Sequence, residues 1–123
     1  MNVVDSSGWL EYFANGAHAN FYAPVIAQED KLLVPVVCLY EVFRRLHQQF
    51  GKEAALQGIS RLYRGQIVAI SDEIALLAAD LSLEHHLPMA DSFILATARL
   101  HDATLWTQDA HFAGLENVKY IPK

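Results

Sequence analysis

The chain has 123 residues, 53% of them hydrophobic, and a formal net charge of −5. These values predict one domain over residues 1–123 with a sizeable core, and they argue weakly against the broad basic surface of a nucleic-acid coat protein while leaving room for a nuclease whose acids cluster at one site. The single Cys38 excludes an internal disulfide, no apolar run approaches the ~18 residues that cross a bilayer, and no basic segment precedes the N-terminal apolar stretch, so the expected location is the cytoplasm.

Residues 2–4 read as a strand that ends on Asp5. A helix follows over 7–14, with Trp9, Leu10 and Phe13 spaced for one face. A second helix spans 18–28, with Pro24 near its middle as a potential break. The run LLVPVV at 32–37 reads as a buried strand entering a helix near Pro35. Over 37–50, Leu39, Val42, Phe43, Leu46 and Phe50 form an amphipathic stripe, and Gly51 is its expected stop. A helix over 52–64 is expected to close at Gly65. QIVAI at 66–70 is a strand, and Ser71 caps a helix over 72–86 that ends before Pro88. The nearly all-apolar ADSFILATARL makes a helix over 91–101, buried on most sides. ATLWT at 103–107 and VKYI at 118–121 are the last strands. Strands alternating with helices predict an α/β fold, a three-layer α/β/α sandwich around a parallel sheet. Right-handed crossovers then bring every strand-to-helix turn to one edge.

Four of the fourteen acidic residues fall on that edge. Asp5 ends the first strand, Glu41 lies early in the helix after the second, Asp91 opens the buried helix, and Asp109 follows ATLWT. Each has an ordinary reading. Asp5, Asp91 and Asp109 look like N-caps, worth roughly 0.5–2 kcal/mol each, and Glu41 is spaced to pair with Arg45. Those readings leave the convergence of four acids unexplained. Two carboxylates about 4 Å apart repel by about 4 kcal/mol at an effective dielectric near 20, so such a cluster calls for a cation or shifted pKa values. An all-oxygen set suits Mg²⁺ or Mn²⁺, and a hard cation there activates water and supports phosphoryl displacement.

The segments VVDSSGWLEYF, LYEVFRRL, MADSFILATARL and WTQDAHF, in this order and spacing, resemble the PIN-domain ribonucleases, in particular VapC-type toxins of VapBC toxin–antitoxin pairs. The resemblance implies Mg²⁺- or Mn²⁺-dependent RNA cleavage. It implies catalytic and metal-binding roles for Asp5, Glu41, Asp91 and Asp109, with Ser6 and Thr107 in support. In this reading Asp5, Glu41 and Asp91 hold the metal, and Asp109 completes the site, holds a second ion or orients water. The resemblance further implies a homodimer silenced by a cognate antitoxin, whose helix would meet aromatics near the pocket: Trp9, Tyr12, Phe13, Tyr40 and Phe43.

The remaining residues weigh less. Five of the nine Lys and Arg (Arg44, Arg45, Lys52, Arg61 and Arg64) lie in one stretch and form either solvated helix faces or a phosphate-tracking rim. His85 and His86 point about 100° apart on a helix, and no ligand spacing supports zinc. His101 sits near a helix end, His111 beside Asp109 reads as a surface turn residue or as one that touches substrate, and Cys38 and Trp106 read as core. A haloacid-dehalogenase-like phosphatase needs a second aspartate where Ser7 stands. A receiver domain needs an acidic pair ahead of its first strand's acceptor and a late lysine. The non-enzymatic rival is a catalytically inactive PIN-fold module that binds a protein partner.

Overall fold

The structure, a computed structural model, describes residues 1–123. Five parallel strands form one sheet: β1 (Asn2–Val4), β2 (Leu32–Pro35), β3 (Gln66–Val68), β4 (Thr104–Thr107) and β5 (Val118–Tyr120). Their order is β3-β2-β1-β4-β5. Six helices join them: α1 (Ser6–Phe13), α2 (Ala19–Ala27), α3 (Val36–Phe50), α4 (Lys52–Ile59), α5 (Asp72–His85) and α6 (Met89–Leu100). The crossovers β1 to β2 to β3 run in one direction across the sheet and β3 to β4 in the other. Right-handed connections then put α1–α4 and α5–α6 on opposite faces, which gives the three layers. No helix is long and apolar enough to cross a membrane.

Burial follows strand position. Val3 and Val4 of the central β1 are fully buried, and so are the residues of β2. In register, Val4 lies beside Trp106 of β4, whose indole Nε1 donates to Asn2 Oδ1 at 2.9 Å. Trp106 is half-buried rather than core. The edge strand β5 exposes Lys119, a charge that discourages further strand pairing. Twenty-six buried apolar residues form one continuous core. Within the buried α6, Ser92 and Thr97 return their hydroxyls to Pro88 O and Phe93 O of their own helix, so burial leaves no hydroxyl unpaired.

Several boundaries differ from the sequence reading. The expected helix over 52–64 ends at Ile59 and resumes as a single 3-10 turn over Leu62–Arg64. Ser60 Oγ donates to Gln57 O at 2.6 Å, and Leu62 turns inward to full burial; both end the regular helix. The apolar helix begins at Met89, directly after Pro88, and places Asp91 inside its first turn. α2 continues through Pro24. Gly51, at φ +92°, and Ser71, which accepts from Ile74 N, terminate and cap as expected.

Gly8 sets how closely α1 approaches β1 and α2. A Cβ at this position would lie 2.6 Å from Tyr22 Cε1 and 2.8 Å from Val4 Cγ1, and both side chains are fully buried. Alanine gains about 1 kcal/mol of helix propensity over glycine, whereas overpacking costs typically about 1–3 kcal/mol. Gly8→Ala is therefore expected to destabilise the chain by up to about 2 kcal/mol in urea unfolding. An unchanged or raised midpoint would show that the α1–β1 contact is looser than this.

Candidate active site

The reversal of strand order falls between β1 and β4, where the crevice of an open α/β sheet binds ligands. Asp5 sits at that seam. β1 delivers it in extended backbone geometry, and its Oδ1 accepts from Gly8 N at 2.9 Å, capping α1. Ser7 Oγ lies 2.9 and 3.0 Å from the two carboxylate oxygens. Thr107 Oγ1, at the end of β4, donates to Oδ2 at 2.8 Å and accepts from Asp109 N at 2.9 Å. The Asp5 side chain is thus locked from both strands, and the residue is only 2% exposed. Burial pushes its carboxyl up from 3.8 to about 6; donors on Thr107, Gly8 and Ser7 offset part of this, and Asp109 adds repulsion.

Glu41, one turn and a half into α3, accepts from Ser6 Oγ at 2.6 Å. The expected pair with Arg45 does not form, because the carboxylate turns toward α1 instead. Asp91 also departs from its ordinary reading. Pro88 occupies the N-cap of α6, and no backbone N–H of α6 bonds to the Asp91 carboxylate. That carboxylate turns to the cleft, where His111 Nδ1 lies 3.0 Å from its Oδ2. Burial raises the Asp91 pKa; Asp109 and Glu41 push it further up, and His111 pulls it down. Asp109 does cap, accepting from His111 N at 2.9 Å and holding the 3-10 turn Ala110–Phe112.

All four acids line one cleft of about 400 Å³, together with Ser6, Ser7, Tyr40, Arg44 and Arg45. Within it, ligand atoms of Asp91, Asp109 and His111 lie within 4.8 Å of one another. Neither Asp5 nor Glu41 joins a set of three donors that tight. Carboxylates converging on one open cleft, with a nitrogen donor beside two of them, fit a divalent cation by donor type. Of the two sequence readings of His111, a surface turn residue or one that reaches the substrate cleft, the geometry favours the second. Its spacing two residues after the capping Asp109 was the available signal, because an Asx-type turn folds that side chain back toward its cap. Ser7 was missed as a partner of Asp5.

Two further expectations are corrected. Trp9 is fully buried and unavailable to any partner, while Tyr40 stays 66% exposed. The basic stretch splits. Arg61 and Arg64 both bind Glu29 Oε2, at 3.1 and 2.7 Å, whereas Arg44 and Arg45 form no ion pair and flank the acids. Cys38 is fully buried, and burial raises its thiol pKa, so it offers no thiolate.

The Asp5 shift makes the metal-free protein less stable as pH rises. Between about 4 and 6 the folded state holds a proton that the unfolded state has released, so the contribution is complete below pH 4 and lost through pH 6. A shift from 3.8 to about 6 corresponds to about 3 kcal/mol. In chelator at pH 7.5, Asp5→Asn should melt several degrees above the parent, and at pH 4 the two should melt together. A lower melting temperature for the variant at pH 7.5 would mean that the donors around Asp5 outweigh the cost of burying its charge.

The PIN domain family matches residues 3–117. A toxin–antitoxin complex from Klebsiella pneumoniae contains a chain of similar fold, with a TM-score of 0.81, 24% identity and coverage of 97% of this chain and 96% of that one. A VapBC complex from Rickettsia felis bound to promoter DNA matches with a TM-score of 0.76 at 16% identity, over 98% and 97% of the two chains. A sarcin–ricin-loop-cleaving VapC toxin of Mycobacterium tuberculosis matches with a TM-score of 0.72 at 19% identity, over 96% and 98%. No curated protein matches in sequence. With its family match running from β1 to the threshold of β5, and its acids gathered at the switch point of a five-stranded parallel sheet, the chain belongs to the PIN domain family.

Proposed function

We propose that this chain is a Mg²⁺- or Mn²⁺-dependent endoribonuclease, the toxin half of a type II toxin–antitoxin pair acting in the cytoplasm. The observation that carries the reading is the cleft in which Asp5, Glu41, Asp91 and Asp109 face two unpaired arginines. Four acids alone repel RNA. Arg44 and Arg45 supply the phosphate contacts that the acidic net charge otherwise leaves missing. The PIN domain match supports nuclease chemistry, and the sarcin–ricin-loop-cleaving relative supports RNA as substrate.

A divalent cation bound in this cleft would supply an activated water and neutralise phosphate charge. Asp91 and Asp109 would hold it, with Asp5 and Glu41 completing the acidic wall. Ser6 fixes the Glu41 carboxylate, and Thr107 fixes both Asp5 and the backbone of Asp109. Arg44 and Arg45 grip the phosphodiester from the α3 side. Asp5 would be the carboxylate that takes a proton from that water.

Relatives in fold that occur as toxin–antitoxin complexes support an antitoxin as partner. A wholly apolar groove lined by Val36, Leu39, Tyr40, Phe43, Leu56 and Ile59 adjoins the cleft through Tyr40 and fits the apolar face of an antitoxin helix. On α5 and at the start of α6, Leu76, Leu83 and Met89 are 71%, 80% and 75% exposed. They support a second copy of the chain as partner, forming a homodimer.

Incubation of the partner-free chain with labelled RNA should give discrete cleavage in Mg²⁺ or Mn²⁺ and none in EDTA. Asp91→Asn should lower the rate about a hundredfold or more, the scale of losing several kcal/mol of charge stabilisation. Because Asp91 caps nothing, this variant should still melt in chelator at or above the parent temperature. A folded, metal-loaded chain that cuts no RNA and still binds an antitoxin would favour the inactive binding module. On the Asp91→Asn background, Arg45→Ala should weaken RNA binding and reduce the slope of log affinity against log salt by about 0.7, the contribution of one phosphate contact to a single strand. An unchanged slope would remove Arg45 from the RNA path.

A further inference from the structure

We propose that His111 Nδ1 is itself a metal ligand, completing a mixed oxygen–nitrogen site with Asp91 and Asp109 that favours Mn²⁺ over Mg²⁺. This rests on the metal-dependent reading above and narrows it to a named donor and a preferred class of ion. The spacing of the atoms is the first ground. Nδ1 lies 3.0 Å from Asp91 Oδ2 and 3.2 Å from Asp109 Oδ1. An octahedron with metal–ligand bonds of about 2.1 Å has edges of about 3.0 Å. Nδ1 therefore stands from each of the two carboxylate oxygens at about the separation of adjacent ligands around one small cation, and all three donor atoms lie within 4.8 Å of one another.

The second ground is how the ring is held. His111 is the middle residue of a 3-10 turn whose next residue, Phe112, is fully buried and anchors the turn to the core. The backbone N–H of His111 binds Asp109 Oδ1, so the cap that orders Asp109 also orders the imidazole. Nδ1 is the ring nitrogen nearest the backbone, and it is the one that meets the acids. Nothing in the core requires this placement, since the side chain is 55% exposed. Each carboxylate keeps a second oxygen for water or a further contact.

The third ground is donor chemistry. All-oxygen sites suit Mg²⁺, whereas an imidazole nitrogen adds affinity for first-row transition ions. A nitrogen among carboxylates does not exclude Mg²⁺, but it shifts the ratio. A chain that used His111 only as a hydrogen-bond donor to the acids would show no such shift in preference.

Two measurements separate these roles without reference to activity. Calorimetric titration of the intact chain with Mn²⁺ and with Mg²⁺ should show Mn²⁺ binding at least about tenfold tighter. His111→Ala and His111→Gln should both lose most of that ratio through weaker Mn²⁺ binding, with Mg²⁺ affinity little changed. Affinity loss alone is insufficient, because removing a residue that only supports a ligand also weakens binding by about 10–100-fold. The deciding readout is electron spin-echo modulation on the Mn²⁺-loaded chain. A directly coupled nitrogen should appear in the parent and vanish in both variants. Absence of that coupling in a parent that binds Mn²⁺ overturns the proposal and leaves the metal-dependent reading intact. Failure of the parent to bind either ion, with Asp91→Asn giving the same flat titration, overturns both.

Discussion

A buried carboxylate at the seam between the two central strands organises this protein. Asp5 closes β1, caps α1 and takes the hydroxyl of Thr107 from β4, so one side chain joins three elements. Its 2% exposure makes the charge expensive, and its donors recover only part of that expense, as a carboxyl near 6 records. A protein under pressure for stability alone would place a serine or asparagine at that cap. An acid at a costly position, at the point where an open sheet forms its crevice, marks a candidate functional site rather than a cap alone.

The neighbouring acids follow the same logic in graded form. Asp109 is a cap that leaves one oxygen toward the cleft. Glu41 is tied by Ser6 and has given up its local arginine. Asp91 is an inward-facing acid with no bond to the backbone of its own helix. The helix N-terminus beneath Asp91 favours its negative charge without consuming the carboxylate oxygens. Arg44 and Arg45, free of ion pairs, offset part of the cleft's negative charge from α3, while Arg61 and Arg64 are spent on Glu29. Two arginines placed this way put unpaired positive charge beside the acids in a chain of net charge −5.

Most of the architecture was legible because its signals are local. Alternating apolar runs and amphipathic periods marked every strand and helix. Gly51, Ser71 and Pro88 punctuated them through backbone geometry that depends on few neighbours. The misplaced boundaries share a cause. The segment after Ile59 keeps a helical pattern, yet Leu62 finds a buried site only if the chain leaves the helix there. Asp91 read as a cap because residue type alone cannot distinguish the capping position from one three places later. Pro88 took the cap, and that freed Asp91 for the cleft.

What the sequence determined by itself was the alternation of elements, the parallel α/β class and the set of acids able to meet at one edge. All of these follow from periodicity and from the fixed handedness of crossovers. Only the tertiary structure decided the partners. Ser6 turned Glu41 away from Arg45, Thr107 bridged Asp5 and Asp109, and a two-residue turn carried His111 from an apparent surface loop to within 3.0 Å of Asp91. Apart from the short Thr107–Asp109 link, these contacts join residues 20 to 102 positions apart. No local preference encodes them, and they exist once the core has brought β1, β4 and α6 to a common edge.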